Sequence, residues 1–191
     1  MLFDLKPKEK LKDLFDRKEE YRELSRLVNS GSWVAVLGKR MTGKTSLIKT
    51  FARQNHSVYI NLLGAKGLED LARKLAEESG FRLEEAGISL KLFHAKWTKV
   101  AGDAFSRLKD RVIVLDEVQE VASPYLLKVL KGAWDTYKEL RIVFSGSYIG
   151  ILRGLLNPDS TSPLYGRRPA QIVLKIFSRE TSKDFLIAGF K

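Results

Sequence analysis

Gly38-Lys39-Arg40-Met41-Thr42-Gly43-Lys44-Thr45 has glycine at its first and sixth positions, then a lysine and a hydroxyl residue, the spacing G-x-x-x-x-G-K-[ST]. Ahead of it, Trp33-Val34-Ala35-Val36-Leu37 is a short apolar run of buried-strand type; behind it, Ser46-Leu47-Ile48-Lys49-Thr50-Phe51-Ala52 reads as a helix. In that setting the loop's consecutive N–H groups converge on phosphate oxygens at a helix N-terminus. Gly38 and Gly43 allow backbone conformations that a Cβ penalises. Lys39, Arg40, Met41 and Thr42 complete the cradle, and Ser46 follows it. Lys44 brings a point charge to the β and γ phosphates, and the Thr45 hydroxyl can bind Mg²⁺. The stretch predicts a nucleoside triphosphate site.

The rest of the chain supplies a matching frame. Residues 1–15 are polar and basic around Pro7 and read as an extended entry. Asp16-Arg17-Lys18-Glu19 fits a capping pattern, with Asp16 as N-cap and Glu19 three residues on. Tyr21, Leu24, Leu27 and Val28 then recur at helical spacing until Asn29-Ser30-Gly31. His56 to Asn61 reads as a strand. Leu68, Leu71, Leu75 and Ala76 predict a helix over 67–79, and Leu92, Phe93, Val100, Ala104, Phe105 and Leu108 another over 89–109. Arg111-Val112-Ile113-Val114-Leu115 is a strand; Ser123-Pro124 opens a helix running to about Leu140, with proline in its first turn. Arg141 to Ser147 and Gln171 to Leu174 are the last two strands. Short, nearly continuous apolar strands alternating with helices predict an α/β fold, a parallel sheet covered on both faces. No internal repeat interrupts it, and one domain over 1–191 is expected.

Asp116-Glu117 ends the third of these strands, at the edge where open α/β sheets bind ligands. Asp116 is placed to hold Mg²⁺ directly or through its water. Glu117, leaving the strand, can orient or deprotonate a water attacking the γ-phosphate. At the tip of the next strand, Ser145 and Ser147 can hydrogen-bond that phosphate or water, although a Ser-Gly-Ser turn explains them too. Arg167 and Arg168 sit together in the loop Ser162-Pro163-Leu164-Tyr165-Gly166-Arg167-Arg168; they suit transition-state charge on a phosphoryl group, or form an ordinary surface pair. His56 and His94 lack metal-ligand spacing and read as structural. Trp33, Trp97 and Trp134 fall on apolar faces and read as core.

Composition bounds the partners. The chain has 191 residues, 34 basic against 23 acidic, a net charge of +11, and no cysteine. That excludes disulfides and cysteine-ligated metals. No apolar run approaches a membrane span and the first residues lack a signal-peptide pattern, so a cytoplasmic protein without membrane contact is expected. The positive charge favours a polyanion, which makes nucleic acid, DNA included, a partner to test. The basic residues are nevertheless interleaved with acids, as on solvated helix faces carrying ion pairs.

Several blocks together resemble the archaeal P-loop ATPases of the AAA+/STAND group. Phe15-Asp16-Arg17 with Glu19, Glu20 and Leu24 resembles that family's N-terminal F-D-R-E-x-E-L signature. The loop from Gly38 to Leu47, the block Val114-Leu115-Asp116-Glu117-Val118-Gln119, the Ser145-Gly146-Ser147 tip and the Ser162 to Arg168 loop are similar to its later blocks, over roughly residues 12 to 190. The resemblance implies a five-stranded sheet ordered 5-1-4-3-2, with the Ser145 strand between the P-loop strand and the Asp116 strand. It implies ATP as the nucleotide, Phe15, Asp16 and Arg17 near the adenine, and Ser145 to Ser147 as a sensor. Arg167 or Arg168 would reach phosphate in the same or a neighbouring subunit, which implies a homo-oligomer or protein partner. Residues 1–31 would be an N-terminal segment and helix, 32–176 the nucleotide-binding core, and 177–191 the start of a truncated lid.

The function expected is ATP hydrolysis with Mg²⁺ by a nucleotide-driven switch or motor core, in nucleic-acid transactions. Two alternatives stand beside it: a non-catalytic module binding nucleotide or nucleic acid, and a small-molecule kinase. Phosphate released into water or passed to an acceptor separates the enzymatic readings.

Overall fold

The apolar runs form strands β1 (Val34–Gly38), β2 (Val58–Asn61), β3 (Val112–Asp116), β4 (Arg141–Gly146) and β5 (Ala170–Leu174). Around them lie α1 (Lys18–Asn29), α2 (Lys44–Gln54), α3 (Leu68–Glu78), α4 (Leu90–Leu108), α5 (Pro124–Thr136) and α6 (Arg179–Gly189). The computed structural model describes residues 3–4, 6–80, 90–146 and 158–190, with backbone alone over 90–98. The strands pair in parallel in the order β2-β3-β4-β1-β5, which is 5-1-4-3-2 read from the other edge. β4 lies between β1 and β3, with Val36 opposite Ser145 and Leu115 opposite Phe144.

Alternation along each strand sends side chains to two faces. Trp33, Ala35, Leu37, Ile60, Ile113, Leu115, Ile142 and Phe144 pack beneath α3, α4 and α5. Val34, Val36, Val114, Val143, Ile172 and Leu174 pack with Leu24 and Val28 of α1 and Leu47, Ile48 and Phe51 of α2. Burial on both faces is why the inner strands β1, β3 and β4 have continuous apolar centres, whereas the edge strands β2 and β5 expose Asn61 and Val173. Trp33 and Trp134 enter the first core, rings 4.7 Å apart and nearly edge to face. The Trp33 indole N–H donates to the Leu140 carbonyl at 2.8 Å. The side chains of Trp97, His94, Leu92 and Phe93 lie outside the described residues; His56 is exposed.

Two boundaries differ from expectation. Asp16 is not the cap of α1: it takes a left-handed φ of 47°, and Arg17 is the N-cap residue without a side-chain cap bond. The capping box fails because Glu19 then stands at the second helical position rather than the third. α5 starts as expected, the Ser123 hydroxyl accepting from the Leu126 N–H, but stops at Thr136. Tyr137 leaves helical geometry and its hydroxyl donates to the Gly102 carbonyl at 3.2 Å, a tertiary bond that the helical pattern could not announce.

Candidate functional site

β1 delivers the chain to the sheet's C-terminal edge at Gly38. A Cβ there would stand 2.7 Å from Thr42 Oγ1 and 2.8 Å from the Leu174 carbonyl oxygen, so only glycine fits between loop and edge strand. Gly43 holds φ +89° at the N-cap of α2, a left-handed conformation natural to glycine. Met41 also takes positive φ, 64°, with its side chain fully in solvent. Thr42 closes the loop through its hydroxyl, which donates to the Lys39 carbonyl at 2.9 Å. Lys39 and Arg40 are exposed; Thr45 and Ser46, in the first turn of α2, are half-buried. Lys44 is buried, and its ammonium donates to the Gly38 and Lys39 carbonyls at 2.9 and 2.8 Å. Burial lowers its pKa below the ordinary 10.5, while Glu117 first and Asp116 second pull it back up. Both acids therefore act on the lysine of the loop.

Asp116 ends β3 at 1% exposure. Its Oδ1 accepts the Glu117 N–H at 3.0 Å and its Oδ2 accepts the Tyr59 hydroxyl at 2.7 Å. Burial, and next the Asp116 charge, push the Tyr59 phenol far up, so it stays a donor. Glu117 turns off the strand with a left-handed φ of 57°, and its carboxylate accepts from the Gln119 side chain. Ser145, on the strand between loop and acids, is 1% exposed and its Oγ has no hydrogen-bond partner. A buried hydroxyl left unpaired is costly, and this one stands on β4 beside Val36 of the loop strand. Ser147 lies outside the described residues.

Beside the loop is a cavity of about 460 Å³ whose wall includes Phe15, Arg17, Gly43, Ser46, Phe177 and Phe185. Phe15 meets Phe177 and Phe185 edge-on at 5.9 and 5.2 Å. Arg17, 7% exposed, donates to Glu20 at 2.8 Å and to the Lys175 carbonyl at 2.6 Å, with its guanidinium 4.7 Å from the Phe177 ring centre. Its Nε is buried without a partner. Asp16 is exposed and outside this wall.

A family profile described as an ATPase domain predominantly from Archaea matches residues 14–191. The chain belongs to this family of archaeal ATPase domains. Among solved structures, this ATPase domain is similar to the Walker-type ATPase PABY2304 of Pyrococcus abyssi, with 29% identity and TM-score 0.77 over 100% of this chain and 62% of that one. It shares its fold with two Aeropyrum pernix proteins. One is ORC1, solved in complex with DNA, at 19% identity and TM-score 0.64 over 92% of this chain and 49% of that one. The other is ORC2, solved as ADPNP-ADP complexes, at 18% identity and TM-score 0.65 over 97% and 54%. The ATPase domain thus spans about half to three fifths of the length of these structures. No curated protein matches it.

The domain does not bring its two arginines to the loop. Arg167 pairs with Asp135 at 2.9 Å and donates to the Tyr165 carbonyl at 3.3 Å; Arg168 is exposed. The next strand begins where the Ala170 N–H meets the Trp33 carbonyl, at the sheet's N-terminal edge. Five residues of strand, about 16 Å, separate that edge from the loop. The oxygen set at the other edge suits Mg²⁺: a hydroxyl on Thr45 and a carboxylate on Asp116, hard donors that would share the ion with nucleotide phosphates. Among the described residues there is no group of three His, Cys, Asp or Glu that could hold a metal by itself, and no helix long and apolar enough to cross a membrane. A cleft of about 880 Å³ between Lys66 and Tyr125 includes none of the predicted site residues. Tyr59 and Phe185 escaped the sequence reading because an aromatic on a strand or helix is ordinarily core, and Phe177 because it lies in the patternless link between β5 and α6.

Proposed function

We propose that this ATPase domain hydrolyses ATP with Mg²⁺ and uses the nucleotide state as a conformational switch. One observation carries the reading: a buried lysine on the loop after β1, two acids at the end of β3, and an unpartnered Ser145 hydroxyl on β4, the strand between them. The loop amides and Lys44 bind the β and γ phosphates. Thr45 and Asp116 would hold Mg²⁺, which when bound neutralises charge building between those phosphates. Glu117 positions water for attack, and its proton is accepted at the Glu117 carboxylate. Ser145 donates to a γ-phosphate oxygen. The base rests in the aromatic wall of Phe15 and Phe177, beside Arg17.

Arg167, held on Asp135 at the far edge, would serve the phosphate of a neighbouring copy in an oligomer rather than its own. The net charge of +11 supports DNA as a partner of this switch, tested by titrating DNA at several salt concentrations against an equally basic control. The central test is calorimetry with Mg²⁺ and ATP. Lys44→Ala should lose binding, and Glu117→Gln should hold ATP while turnover drops by about 10²–10⁴-fold. Parental turnover in Glu117→Gln removes Glu117 as the base; absent binding in the unaltered chain removes the reading.

A further inference from the structure

α2 and the β2–β3 pair face each other in two tiers above the second core. On α2, Thr45 and Lys49 are four residues apart and so share a side of the helix. Opposite them, Asp116 closes β3 while Tyr59 stands on β2, level with Val114 and two rows below. The Lys49 ammonium lies 5.3 Å from the centre of the Tyr59 ring, and the Tyr59 hydroxyl reaches up to Asp116 Oδ2 at 2.7 Å. Lys49 is in turn 4.0 Å from Glu9, whose other carboxylate oxygen pairs with Arg53 at 2.8 Å. The N-terminal segment is bonded to the same helix, the Lys8 N–H donating to Ser46 Oγ at 3.1 Å and the Thr50 hydroxyl to the Lys8 carbonyl at 3.2 Å. The lower tier is thus tied down at both ends.

Packing alone does not require the phenol oxygen here. Phenylalanine would fill the same half-buried space against the second core, and taking a hydroxyl into that interior is costly without a partner. Its partner is one oxygen of the acid, whose other oxygen is taken by the Glu117 N–H. An ionised carboxylate offers about four lone-pair positions. With one on each oxygen occupied by a fixed donor, the carboxylate plane cannot rotate, and the two that remain are directed.

We infer that Tyr59 is a positioning residue for the metal: its phenol locks Asp116 so that the free lone pairs meet the Mg²⁺ shell beside Thr45. The inference rests on the proposed Mg²⁺–nucleotide reading of the site and adds to it a residue outside every recognised block of the sequence. Outer partners of metal ligands typically change metal affinity by about 10–100-fold when removed.

The test is calorimetric binding of the β,γ-imido analogue of ATP as a function of Mg²⁺, in the intact chain and in Tyr59→Phe. The expected result is unchanged analogue affinity in EDTA, where loop amides and Lys44 act alone. The Mg²⁺ concentration needed for the metal-dependent gain should rise about 10–100-fold. Mn²⁺ resonance spectra of the analogue complex should change in step. Tyr59→4-aminophenylalanine, which keeps a donor at the same place, should restore the parental metal dependence; failure to restore it reduces Tyr59 to packing and overturns the inference. Parental metal dependence in Tyr59→Phe, with Asp116→Asn shifted, overturns the role of Tyr59 and leaves the site reading standing. If the unaltered chain binds the analogue with no effect of Mg²⁺, the site reading falls and this inference falls with it.

Discussion

The two edges of the sheet are made of the same strands and differ in how they treat polar groups. At the N-terminal edge the polar groups close on one another: Trp33 on the Leu140 carbonyl, Ala170 on the Trp33 carbonyl, Arg167 on Asp135. At the C-terminal edge they are held open. Ser145 Oγ and Arg17 Nε are buried without partners, Met41 and Glu117 take left-handed backbone, and Lys44 is desolvated. Near the first edge, Ser57, whose buried Oγ is also unpaired, and His56, with a left-handed φ of 48°, depart from this contrast. The difference teaches that unpaired and left-handed groups concentrate at the edge where the proposed site lies, while the opposite edge is closed mainly by hydrogen bonds and an ion pair.

The largest effect expected at the closed edge is on folding. Trp33→Ala removes a buried ring and its hydrogen bond and should destabilise the chain by about 3–5 kcal/mol in denaturant titration. If the loss is below about 1 kcal/mol, that edge is not where stability resides. The open edge should respond with the other sign. Ser145→Ala deletes an unpaired buried hydroxyl and should raise unfolding stability by about 1 kcal/mol while slowing turnover. A drop in stability would mean that the hydroxyl is satisfied after all and the contrast between edges is false. The smallest effect belongs to Arg167→Ala. Its ion pair is partly exposed, so unfolding stability should change by no more than about 1 kcal/mol. Any loss of turnover should then depend on protein concentration, as expected for a residue serving a neighbouring copy; a concentration-independent loss assigns it to its own chain.

Much of this was legible beforehand where chemistry and local geometry coincide. Gly38, Gly43, Lys44 and Thr45 are read from spacing because the loop is built from consecutive residues. Asp116 and Glu117 are read because an aliphatic strand ends in them. The order of the strands came only with the resemblance, since apolar runs do not say which neighbours they choose. Contacts between distant residues stayed hidden. Arg17 leaves the capping pattern because it reaches the Lys175 carbonyl, 158 residues away. Tyr59 passes for a core aromatic until β2 is laid beside β3, and Tyr137 breaks α5 for a carbonyl on α4.

The clearance at Gly38 has a mechanical corollary. With a threonine hydroxyl of the loop on one side and the backbone of Leu174 on the other, Gly38 has no room for a side chain and packs its backbone directly against the edge strand. A cradle that tightened or swelled would meet the exit of β5 first, and Lys175 and Phe177 just beyond it contact Arg17. Phosphate bound in the loop would thus press on the exit of β5 and, through the contacts of Arg17 with Lys175 and Phe177, on the segment that leads into α6.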